Sequence, residues 1–122
     1  MNKTVGSPET SNVHVGRVKI KDIVGKVFID CELAGDTKTF FSADKASVSI
    51  VIATKDFNSS LTNLISKKTP VLIEMERMAF DDFFIENIES SGVDLITIKA
   101  TFSRKPTEKN VSAWFGIPNK DE

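Results

Sequence analysis

Tyrosine is missing altogether from this chain, and cysteine, histidine and tryptophan occur once each in 122 residues. Each shortage removes a class of chemistry. One cysteine, Cys31, excludes an internal disulfide, and the composition suits a reducing compartment. Its neighbours two residues away, Ile29 and Leu33, read it as a buried strand thiol. One histidine, His14, gives a nucleophile–base pair almost nothing to build from, and a zinc site of the usual ligands would have to draw on several carboxylates. Glycine-rich phosphate-cradling loops are absent too. No apolar run approaches the ~20 residues that cross a bilayer, and residues 1–12 are polar rather than signal-like. These shortages lead us to expect a protein with no catalytic residue, no cofactor, no metal and no membrane partner, located in the cytoplasm.

Charge excludes less. The formal net charge is −1, so a nucleic-acid partner would need a local basic patch that the overall balance does not supply. The pair Asp81 and Asp82, with Glu74, Glu76, Glu86 and Glu89 on flanking strands, could in principle gather a hard cation. Strand alternation places Glu74 and Glu76 on a wet face, where a solvated charged surface is the ordinary outcome.

What is present is period-two hydrophobicity. Val27, Ile29, Cys31 and Leu33 alternate with polar residues, with Phe28 the exception; Thr37 to Phe41 is a short strand; Val48, Ile50 and Ile52 follow. The phase change between Val13 and Val18 fits either a bulge near Gly16 or a strand that begins at Arg17. Phe57, Leu61, Leu64 and Ile65 then share one helical stripe, which predicts a helix over about 57–67, with Asp56 as N-cap and Pro70 as the stop. Beyond it, Val71, Ile73 and Met75 alternate with Glu74 and Glu76. Residues 79–82 read as a connection. In the strand 83–89, Phe84 and Ile88 face one way and Phe83 and Ile85 the other. Ser91-Gly92 predicts a tight hairpin, and Ile96, Ile98, Ala100 and Phe102 close the pattern.

The expected architecture is mainly β, an antiparallel sandwich or barrel of about seven strands with one flanking α-helix. Residues 1–12 read as a flexible arm, 13–104 as a single β-rich domain, and 105–122 as a C-terminal tail. The tail carries an isolated apolar segment whose Trp114, Phe115 and Ile117 must be buried either on the chain's own domain or on a neighbouring copy. Phe28, Phe40 and Phe41, with Lys19, Lys21, Lys26 and Lys38 close in sequence, suggest instead an OB-like single-strand nucleic-acid binder, in which bases stack on aromatic platforms.

The order of these elements is carried most clearly by Leu61-Thr62-Asn63-Leu64-Ile65-Ser66-Lys67-Lys68-Thr69-Pro70-Val71-Leu72-Ile73. It continues in Phe83-Phe84-Ile85-Glu86-Asn87-Ile88 and Leu95-Ile96-Thr97-Ile98-Lys99-Ala100-Thr101-Phe102. This pattern resembles the small β-domains of phage tail-tube, distal-tail and baseplate proteins. The resemblance implies a structural protein without catalysis that forms a homo-oligomeric ring with other tail or baseplate proteins as partners. It would be found in the virion or, during assembly, in the host cytoplasm, with nucleic acid only as channel contents. A phage-encoded inhibitor of a host protein is a third reading.

Overall fold

A computed structural model describes the backbone of Glu9–Val13 and all of residues 16–115. Eight strands pair antiparallel in one sheet: β1 (Glu9–Val13), β2 (Arg17–Asp22), β3 (Val27–Glu32), β4 (Thr37–Phe41), β5 (Ala46–Ala53), β6 (Pro70–Met75), β7 (Met78–Ser90) and β8 (Leu95–Phe102). Their spatial order is β1-β4-β5-β8-β7-β6-β2-β3. The mainly β expectation holds, as a single curled sheet rather than two stacked ones. β1 and β3 end the ladder, yet the curl brings the β3 end round: Leu33, just after β3, bridges Ile52 in β5, and the Ala34 N–H donates to the Val51 carbonyl at 2.8 Å. Gly35 turns the chain at this closure. A Cβ there would stand 3.2 Å from the Cβ of Val51.

Alternation produces the core. Val18, Ile20, Ile29, Cys31, Val48, Ile50, Ile52, Val71, Ile73, Ile98 and Ala100 are all buried on the concave face, because a slip of one residue in any strand would turn its whole apolar set to water. The end of the expected arm, residues 9–12, forms with Val13 a strand beside β4. The phase change at Gly16 is therefore the gap between two strands, and β2 begins at Arg17.

Three bulges account for the places where alternation misleads. Ile20 pairs with Ile29 but Lys21 with Val27, so Phe28 is the extra residue and joins the core beside Ile29. Ile85 pairs with Ala100 but Asn87 with Lys99. Glu86 is inserted there, and Ile88 returns to the core side with Ile85 instead of opposing it. Val71 pairs with Phe83 but Ile73 with Phe80. Residues 79–82 are accordingly not a connection: β7 runs through them, bulged at Asp81 and Asp82, and the turn lies earlier, at Glu76 and Arg77. Asp82 takes the left-handed conformation, φ 61°.

The expected helix over 57–67 is shorter and differently capped. Two 3-10 turns, Thr54–Asp56 and Ser59–Leu61, lead into α1 (Thr62–Lys67). Asp56 closes the first turn. The side chain that caps is Asn58, whose Oδ1 accepts from the Ser60 N–H at 2.9 Å. The helix ends at Lys68, which adopts φ 51° as a left-handed C-cap, before Pro70 opens β6. A second helix, α2 (Glu108–Trp114), lies in the segment expected to be a polar linker and tail. Thr107 and Asn110 cap it reciprocally.

Candidate functional site

Residues 105–115, the described part of the tail, are folded onto the chain's own domain. Trp114 is 1% exposed, and its indole lies 4.7 Å from the Phe102 ring, 5.1 Å from Phe83, 5.9 Å from Phe41 and 6.1 Å from Phe80, centroid to centroid. Phe115 is half-buried, edge-on to Phe41 and Phe80. The indole Nε1–H donates to Asp81 Oδ1 at 3.0 Å. Of the two placements open for the apolar tail, packing in cis is the one seen, because four rings of the core already surround the anchor. Ile117 lies outside the described residues, as does His14.

The Asp81-Asp82 bulge is therefore structural. Asp82 Oδ2 accepts from the Ser103 hydroxyl at 3.0 Å and is ion-paired with Arg104, whose guanidinium also covers the Phe102 ring at 4.8 Å. Among the described residues no three His, Cys, Asp or Glu side chains form a metal-holding group. Cys31 is buried, and burial first, then the Asp56 carboxylate, pushes its thiol above the ordinary range. Glu86 is held below its ordinary range by the Thr101 hydroxyl, and it remains exposed.

The residues singled out for nucleic acid do not come together as a basic aromatic platform. Lys19 stands between Asp30 on β3 and Glu74 on β6 in the ladder, and Lys21 pairs with Glu74 at 3.3 Å. Arg17 pairs with Asp30 at 3.1 Å and also donates to its backbone carbonyl. Phe28 is buried beneath Lys26, whose Nζ lies 5.2 Å from the ring centroid. Phe41 belongs to the aromatic cluster around Trp114, Phe40 is half-buried, and Lys38 is exposed on β4, outside the row formed by the other lysines. Each cation of β2 thus faces a carboxylate, and the field along this face alternates in sign.

One feature escaped the sequence reading. Among the described residues, the exposed large aliphatic side chains are Ile23 (76% exposed), Val24 (83%), Val27 (45%) and Val93 (88%). The first three belong to the β2–β3 hairpin and the last to the β7–β8 turn. In an antiparallel sheet ordered β8-β7-β6-β2-β3, β2 and β7 run the same way, so both turns lie at one end of the molecule. The β5–β6 connection that carries α1 leaves from that end as well.

Both turns are held firmly. Asp22 Oδ1 accepts from the N–H groups of Val24 (3.0 Å) and Lys26 (2.9 Å), and Gly25 supplies φ 95°. This locks the turn that carries Ile23 and Val24, which line a groove together with Pro70, Leu72, Asp82 and Arg104. At the other turn, the expected two-residue hairpin is a wider loop over residues 91–94. There Ser91 N–H donates to the Leu95 carbonyl, Asp94 adopts φ 61°, and the Asp94 carbonyl accepts from Thr54 N–H at 2.9 Å. The run Ile23-Val24 before Gly25 was the available signal: two adjacent aliphatic residues in a turn, where polar residues are the norm.

No protein-family model, no curated protein and no solved structure matches the chain.

Proposed function

We propose that this chain is a non-enzymatic structural subunit that assembles through contacts between copies into a ring, in the manner of the small β-domains of phage tails and related contractile injection machines. The observation that supports the reading is the placement of Ile23, Val24 and Val93 on two turns of one end, with Val27 opening β3 beside the first. Single aliphatic residues scattered over a surface are ordinary. Concentration on two pre-formed tips at one end is not, since burying each such side chain in an interface contributes about 1.5–3 kcal/mol.

The contact residues first suggested by the tail shift accordingly: Trp114 serves the subunit's own core, and the β2–β3 tip takes the role of subunit contact. The free edge of β3 is a poor alternative. Its bulge at Phe28 and the Arg17 guanidinium on the Asp30 carbonyl are the devices by which edge strands resist pairing with other chains. Native mass measurement on the full-length chain tests the proposal. A discrete multimer that gains mass with concentration and then stops is expected for a closed ring, whereas a single-subunit mass throughout the concentration range would overturn it.

A further inference from the structure

We infer that α2 is an exchangeable element: two copies that meet by their α2 ends trade these helices, so that Trp114 of each fills the box of Phe41, Phe80, Phe83 and Phe102 in the other. The exchange goes beyond the proposed ring and uses the opposite end of the subunit. β8 begins beside the turn that carries Val93 and ends at Phe102, where the chain leaves for α2.

The occupant of the box is known, because α2 is seen in it. A second copy supplies the same four rings and the same Asp81 acceptor, so the contacts that hold α2 in its own chain are available unchanged in another. Only the connection distinguishes the two placements.

That connection is short and loosely held. The Ser103 N–H donates to the Asp82 carbonyl at 3.2 Å, and the Ser103 hydroxyl and Arg104 guanidinium bind the Asp82 carboxylate, which fixes the chain to β7 as far as Arg104. From Thr107 onward α2 caps itself. Between the two stand Lys105 and Pro106. Lys105 lies 3.9 Å from Asp44 with both side chains largely in water, and an ion pair of that kind contributes little. Pro106 biases Lys105 toward an extended backbone. Among the described residues, the one hydrogen bond that joins residues 105–115 to the sheet is that from Trp114 to Asp81. The remaining contact is packing by Val111, Trp114 and Phe115, so undocking α2 breaks no ladder.

Concentration decides which placement is filled. A short flexible connection holds a segment at an effective concentration of about a millimolar with respect to its own seat. Dilute chains therefore keep α2 in cis. Copies brought face to face present each box at a comparable concentration, and exchange then competes on equal terms.

The test shortens the connection. A chain lacking Lys105 and Pro106 keeps the box and α2 but leaves about 3.8 Å between the Cα atoms of Arg104 and Thr107, against a reach of about 10 Å before. α2 then runs straight on from β8, past its own box and into that of a facing copy. Light scattering should give twice the mass of the species that wild type forms under the same conditions, with Trp114 emission kept at its buried wavelength. Adding Trp114→Ala to the shortened chain should halve the mass again. A shortened chain of wild-type mass overturns the exchange, and so does a doubled mass with Trp114 in water. If circular dichroism shows that the shortened chain has lost its sheet, wild type decides. In an equal mixture of isotope-labelled and unlabelled chains at about a millimolar, nuclear Overhauser contacts are expected between Trp114 of one copy and Phe102 of the other; contacts confined to single chains overturn the exchange. Neither readout depends on the ring, whose failure appears separately, as a single-subunit mass for wild type.

Discussion

Both ends of the curled sheet are covered by short helices, six residues in α1 and seven in α2, yet they are held by different means. α1 is tethered on both sides, by β5 and β6, and contributes Leu64 to the core beside Leu61 of the 3-10 turn before it, with Ile65 and Phe57 packed at the margin. α2 follows β8 and has no strand after it within the described residues. Ordering a segment tied at one side gives up more conformational freedom for the same number of contacts. The α2 end offsets this with a concentrated anchor: one indole among four phenylalanines, with a hydrogen bond to Asp81. A helix built into the chain can rely on ordinary aliphatic packing, and one at its margin needs a single large contact.

The sharpest way to break this comparison is at the anchors. Trp114→Ala should lower stability by about 3–5 kcal/mol in urea unfolding, against about 2–5 kcal/mol for Leu61→Ala. The two should also differ in kind. Loss of Trp114 should free α2 and bare Phe41, Phe80, Phe83 and Phe102, seen as strong dye binding by a still-folded sheet; loss of Leu61 should shift the unfolding midpoint without that signal. Equal dye binding by both variants would erase the distinction.

A smaller effect isolates the polar half of the anchor. Asp81→Ala leaves the buried indole N–H without its acceptor and should cost about 1–3 kcal/mol, with Trp114 fluorescence shifted to longer wavelength if water enters. An unchanged midpoint would place the whole strength of the α2 end in ring packing.

Smallest of all are the caps. Asn58→Ala and Thr107→Ala should each cost about 1 kcal/mol. Hydrogen exchange distinguishes them: the Thr107 change should speed exchange throughout α2, because that helix has only one tether, and the Asn58 change should affect only the turn before α1.

The strands were readable because alternation is a rule of geometry, and Ile29 to Leu33 and Ile96 to Phe102 obey it. Bulges were not, since an added residue reverses parity without any compositional mark. Asp82 illustrates the difficulty, as an aspartate rather than a glycine occupies its left-handed position. α2 was hidden by its polar surroundings, although Thr107 and Asn110 at capping distance, followed by Val111, Trp114 and Phe115 at helical spacing, contained the signal. The apolar tips went unnoticed because periodicity reports which side of a strand is wet and says nothing about turns.

Gly35 has a further consequence. With 3.2 Å between its missing Cβ and that of Val51, the chain there acts as a shim of fixed thickness between the β3–β4 corner and β5. Any larger residue would have to push Val51 back by a few tenths of an ångström, so how closely that corner approaches β5, beside the place where Leu33 meets Ile52, is gauged by the smallest side chain available.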